Sequence, residues 1–455
     1  MTTPSITSST GPLDVQGLVS QLMTVADQPL NALNSQLQTD NSQISDYGTI
    51  SSDLTGLQST LTTLSSGTFI NTLKATSSNT SIMSATASNT ANAGAYNITV
   101  NNLATAQNLA YTGQASETAS LGNTADTLNF TFGSGSTSSV SIPANASLDQ
   151  IAASINNAGI GVSASVVTAD SSSTPYRLVL TGNTVGGGNS FSTATASGQS
   201  SLSFLGFNAS SAVNGSGQIT DSRLTAQAQN ASLTVNGLTM TSSSNTVTTG
   251  ILGVSMNLTQ AGTTVLNVSR DNTAIQTQVQ SFVTAYNKLQ SDATSLYNGD
   301  LQGDFNIVQL QNTMDSILQT PISGANGTTQ VAYLAQVGVS IQKDGTLSLD
   351  TTALNNAISN NASAVANVFG NSNNDGFAQR FNTEINSLLG PQGLITTKTN
   401  TLNKSVSDLK NQISQEQNQL TTIQSNYTSL YTNLNSSLAK MEQTSSSLSN
   451  MIASA

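Results

Sequence analysis

The sequence predicts an α+β protein: a helical coiled-coil stalk formed by both termini, with β-rich antiparallel domains inserted between them. Three observations lead there. Apolar residues recur in a heptad from Leu402 to Leu448, a second helical stripe runs from Leu30 to Leu64, and between about 74 and 271 the period switches to alternation.

Taken in order, "LVSQLM" (18–23) is the first amphipathic piece, too short to hold as an isolated helix. Two readings stand: a terminus disordered in the free monomer, or a docking segment that orders on assembly. The N-terminal docking candidates are Leu13, Leu18, Val19, Leu22, Met23, Leu30 and Leu37. Pro29 suits a first helical turn, after which Leu30, Leu33, Leu37 and Ile44, then Tyr47, Ile50, Leu54, Leu57, Leu61 and Leu64, step by three and four. "YNITV" and "LNFTF" read as strands. "SLTVNGLTM" reads as a hairpin on Asn236-Gly237 in a two-residue type I′ turn, and "GVSIQKDGTLSLD" as the same device on Asp344-Gly345. "SLDQIAASINNAG" has Ser147 and Gln150 at capping-box spacing and stops near Gly159. Helical spacing resumes after Asn272, where Val279, Phe282, Val283 and Tyr286 share a face.

The C-terminal heptad has two columns. Val406, Ile413, Leu420, Tyr427, Leu434, Met441 and Leu448 stand seven apart; Leu402, Leu409, Ile423 and Leu430 fill the other, with faults at Glu416, Ser437 and Thr444. A buried Leu contributes roughly 1.5–3 kcal/mol and an exposed one nothing, so a helix otherwise built of Gln, Asn, Ser and Thr requires a partner. The N-terminal stripe is the nearest one. The expected layout has terminal leg helices at 1–42 and 415–455, mobile in the monomer. A helical stalk domain with a small β-hairpin covers 43–73 and 272–414, a first β-rich outer domain 74–116 and 221–271, and a second 117–220.

Composition excludes several functions. Only 7% of the 455 residues are charged, the net charge is −11, and His, Cys and Trp are absent. The 11 basic residues, none before Lys74, are too sparse for a phosphate-binding face, so no nucleic-acid partner is expected. No stretch has the ~20 apolar residues of a membrane span, so no membrane insertion is expected, and the N-terminus lacks the basic and apolar regions of a signal peptide. Without His or Cys the commonest general bases, thiol nucleophiles and transition-metal ligands are missing. Asp300 and Asp304 lack the ligand density of a calcium loop, Ser437-x-x-Lys440 stands alone without the other motifs of penicillin-binding enzymes, and Gly186 to Gly188 do not make a P-loop. No enzyme and no cofactor is expected.

"TGPLDVQGLVSQLMTVADQPL", "AGAYNITVNNLATAQ", "NASLTVNGLTMTSSSNTV" with "GVSMNL", "FVTAYNKL" and "VGVSIQKDGTLSLD" occur in the order found in the bacterial flagellar filament cap family, the hook-associated protein 2 family, which the chain resembles over nearly its whole length. Pro12 departs from it, since relatives usually carry Ser-Gly before Leu-Asp. The resemblance implies a homo-oligomeric ring at the distal end of the flagellum, legs reaching into the filament, and flagellin subunits folding beneath the plate and being inserted there. It also implies hook–filament junction proteins, the type III export apparatus and a cytoplasmic export chaperone as partners, and an extracellular position reached without a cleaved signal peptide. Two alternatives are a flagellin-like axial subunit, which "LSSGTFIN" echoes, and a surface adhesin binding host glycans through 117–220; a polysaccharide-cleaving enzyme is the remotest.

Overall fold

The structure, a computed structural model, describes residues 13–169, 172–196, 202–323 and 331–453. Pro12 and the first residues of the expected N-terminal leg lie outside them. The helices are α1 (Val15–Ala26), α2 (Gln28–Ser65), α3 (Leu148–Ala158), α4 (Asn272–Tyr297), α5 (Phe305–Gln319), α6 (Thr351–Phe369), α7 (Phe377–Leu389) and α8 (Leu394–Ala453). The chain divides into two compact units, residues 1–70 with 272–455, and residues 71–271.

In the first unit α2 packs along α4, α7 and α8. The apolar residues that step by three and four along α2, from Tyr47 to Leu64, are buried against Val279, Phe282 and Tyr286 of α4, Phe377 and Phe381 of α7, and Ile395 and Leu402 of α8. Phe282 is the hub of an aromatic cluster, its ring 5.8 Å from Phe381 and 6.4 Å from Phe369. The small hairpin pairs Val339–Ile341 with Leu347–Leu349. Its turn differs from the expected one. Only Gly345 takes a positive φ (81°), while the Gln342 N–H donates to the Thr346 carbonyl and the Gly345 N–H to the Gln342 carbonyl, so the loop is 342–346 rather than two residues. Asp344 prefers to accept from the Thr346 N–H and hydroxyl, which a left-handed residue in a type I′ turn would forgo.

The second unit has two cores. Strands 73–77, 262–270, 94–102, 231–235 and 238–242, in that order, form a sheet that shares a core with the three-stranded sheet of 246–251, 254–258 and 83–87; Met83, Ile98, Leu233, Met256 and Leu266 fill it. Here Asn236 and Gly237 do make the expected two-residue turn, with φ of 49° and 85°. The other core, with Tyr111, Leu128, Phe130, Ile151, Leu180 and Phe191, lies among a four-stranded sheet, a three-stranded sheet and α3. The α3 cap is the reciprocal Ser147–Gln150 box. Strands 108–110 and 224–226, assigned by the sequence to the first outer domain, pair with each other, 108–110 also pairs with 176–182, and their Leu109 and Leu224 belong to this second core.

Candidate functional site

The terminal helices carry the candidate site. α1 is capped by Asp14, whose side chain accepts from the Gly17 N–H at 2.9 Å, and only Asp27 separates it from α2. Two contacts set the direction of this pair on α8: the Lys398 ammonium lies 6.0 Å from the Tyr47 ring centre, and the Leu13 N–H donates to Asn435 Oδ1 at 2.9 Å. The N-terminal helices therefore run antiparallel to α8.

Near the Lys398 end an ionic cluster fixes the register. Asp304 caps α5, accepts from the Tyr47 hydroxyl at 2.8 Å and lies 3.3 Å from Lys398. Burial raises its carboxyl, but the Asn306 amide, Tyr47 and Lys398 outweigh that and hold it below the ordinary carboxylate range. Burial pushes the Tyr47 phenol well above its ordinary value. Asp304 is thus a cap and core anchor, and among the described residues no three His, Cys, Asp or Glu side chains gather to hold a metal. The Ser437 hydroxyl donates to the Asn433 carbonyl of its own helix, a back-bond of the kind hydroxyls make on any α-helix.

The seam residues divide sharply. Leu402, Val406, Leu409 and Leu420 are buried, Ile413, Ile423 and Tyr427 are partly buried, and Leu430, Leu434, Met441 and Leu448 are exposed. On the N-terminal side Val19 is buried, while Leu13, Leu18, Leu22, Met23, Leu30 and Leu37 are partly buried. Val15, absent from the sequence-based set, is buried as well. The structure brings the first half of the heptad together with α1 and α2 and leaves the second half without cover.

The cause is where α1 lies: the Leu13 N–H at its start donates to Asn435 Oδ1, so α1 covers that side of α8 and reaches no further along it. Leu420 is followed on the covered side by Tyr427, Tyr431 and Asn435, the last two steps being four residues. Leu434 has by then turned away and is 45% exposed, whereas Asn435 beside it is 1% exposed. Sequence reasoning missed Asn435 because it looked only at apolar residues. Its cover comes from the start of α1, which spacing within α8 does not record.

Fold and site together define a class: a structural assembly subunit, helical at both chain ends, with antiparallel domains between them and an apolar seam as its principal surface. The sequence matches the family described as Flagellar hook-associated protein 2 over residues 228–443 (C-terminus) and 12–107 (N-terminus), and the Flagellin hook IN motif over 127–184. The chain belongs to the flagellar hook-associated protein 2 family, the caps of the flagellar filament. It is 32% identical over 428 residues to the B-type flagellar hook-associated protein 2 of Pseudomonas aeruginosa, covering 89% of this chain and 88% of that one. To the flagellar hook-associated protein 2 of Escherichia coli it is 29% identical, covering 87% of each. The crystal structure of the Escherichia coli flagellar cap protein's D1, D2 and D3 domains superimposes with a TM-score of 0.62 at 30% identity, covering 79% of this chain and 99% of that one. This is a structural cap protein and not an enzyme, and the comparisons support neither the axial-subunit nor the adhesin alternative.

Proposed function

We propose that several copies of this chain assemble into a ring at the flagellar tip through their terminal legs, and promote insertion and polymerisation of flagellin arriving unfolded from the channel. The observation that carries this is the uncovered stripe on α8, where Leu430, Leu434, Met441, Leu448, Met451 and Ile452 are all at least 45% exposed. Six such side chains on one polar helix are an interface awaiting a partner. The stripe continues the heptad of the covered seam, so a neighbouring leg packed in left-handed coiled-coil geometry meets it in phase. The part of the leg beyond Asn435 is mobile until that neighbour arrives, whereas the stretch from 415 to Asn435, expected to be mobile too, carries the buried Leu420 and Asn435. Export through the type III apparatus without a cleaved signal peptide, escort by a cytoplasmic chaperone, and contact with the junction proteins complete this reading. A nearly charge-free leg agrees with passage through a narrow channel as an unfolded chain.

Replacing Leu434, Met441 and Leu448 together by Ser tests the leg. These side chains are exposed, so the far-UV spectrum of the variant stays that of the wild type. Mass photometry then finds monomers in place of the assembled particle, and cells carrying the variant shed flagellin into the medium. Wild-type particles and filaments of normal length would overturn the leg interface.

A further inference from the structure

Leu238, 76% exposed, and Leu252, 72% exposed, are the two most exposed large apolar side chains among the described residues of 71–271. Both border consecutive strands. Strands 238–242 and 246–251 are the outermost strands of their sheets and run in opposite directions, joined by residues 243–245. Met240 lies against Gly250, where an added Cβ would meet its Sδ at 2.8 Å. Leu238 and Leu252 are each two residues further toward the same end.

The edge between them is open. Val235 and Leu238 flank the two-residue turn and exchange both their hydrogen bonds, so alternation turns the N–H and C=O groups of Thr239 and Thr241 away from the sheet. Among the described residues no further strand pairs with this side of 238–242. Proteins usually guard such an edge with a charge or a proline. The opposite edge of this sheet carries Lys74, but between Arg223 and Arg270 there is no charged residue and no proline.

Only an extended backbone can satisfy that row of alternating donors and acceptors. A five-residue edge buries far less than the ~1,200 Å² of a stable interface, which suits a passing chain better than a permanent subunit contact. We propose that the 238–242 edge, bordered by Leu238 and Leu252, takes a transient extra strand from an extended, non-native polypeptide of uncharged, β-forming composition. The proposal rests on the cap reading, in which the exported subunit arrives unfolded.

The probe is a labelled, end-blocked peptide of alternating Val and Thr with one Arg at each end, titrated against the full chain by fluorescence anisotropy. Thr239→Lys with Thr241→Lys places charges on the edge. Thr239→Pro with Thr241→Pro removes the two outward N–H groups and leaves the bonds to 231–235 in place. Each pair lowers peptide affinity about ten-fold or more with an unchanged melting temperature, and Leu238→Ser with Leu252→Ser lowers it about three-fold. Undiminished binding by the soluble, folded Lys pair overturns the proposal. So does wild-type self-association that the Lys pair abolishes, since the edge would then join second copies. The Leu434, Met441 and Leu448 variant separates the two readings. It binds the peptide as the wild type does if the edge acts alone, and wild-type assembly by that variant would remove the leg interface without touching the edge result.

Discussion

At the scale of single residues, the strongest constraints are polar groups placed inside apolar seams. Asp304 is one: its carboxylate is ionised more readily in the folded chain than in the unfolded one, where its pKa is ordinary. The unfolded chain therefore takes up the proton first as pH falls. The stabilisation is complete above about pH 4 and disappears as pH drops through the lower, folded value. Asp304→Asn keeps a competent helix cap but loses the charge facing Tyr47 and Lys398. Urea unfolding followed by circular dichroism should place the variant about 1–2 kcal/mol below the wild type at pH 7, with the gap narrowing as pH falls below about 4. A gap independent of pH would mean that the charge contributes nothing. Asn435 is the second such residue. Asn435→Ala removes the acceptor for the Leu13 N–H, at a cost of about 1 kcal/mol, and limited proteolysis should then release α1 several times faster while the rest of the chain stays resistant. Unchanged release would show that Val15 and Val19 alone hold α1.

At the scale of elements, α8 is one helix of 60 residues with two environments. One heptad column is buried or partly buried through Tyr427 and exposed from Leu434 onward, so Ser substitutions along it do different things. Leu420→Ser removes a side chain only 6% exposed and should lower the stability of the helical unit by about 2–4 kcal/mol. Leu434→Ser should leave stability within about 0.5 kcal/mol and act only on assembly. Equal losses from both would mean that Leu434 is covered in solution. The heptad was legible in the sequence because its apolar residues are regular. The change of environment was not, since the place along α8 where α1 begins decides it.

At the scale of the whole chain, the order of helical, alternating and helical segments was legible from periodicity, and so were the Asn236-Gly237 turn and the α3 capping box. The limits of the inner β-rich core were less so, because strands 108–110 and 224–226 are three residues each, too short for alternation to register. A fragment cut at 117–220 leaves out Leu109, Tyr111 and Leu224, all no more than 4% exposed. At roughly 1.5–3 kcal/mol each, that loss compares with the 5–15 kcal/mol that holds a typical domain together. Residues 106–228 should therefore unfold cooperatively on heating, while 117–220 should give a broad, non-cooperative melt. Equal cooperativity in the two would place the boundary where the sequence put it.

The sequence by itself determined which stretches are helical and which alternate, that both chain ends carry apolar seams, and that the chemistry of a His- or Cys-based site is absent. These are local or compositional properties, readable from spacing within a few turns. Only the tertiary structure decided that Asn435 lies buried and its neighbour Leu434 exposed, that Asp304 serves Tyr47 and Lys398 as an anchor, and that strand 238–242, with the exposed Leu238, ends its sheet as an unguarded edge. Each of these depends on which distant segment comes to lie alongside, and a helix or strand carries no record of that in its own periodicity.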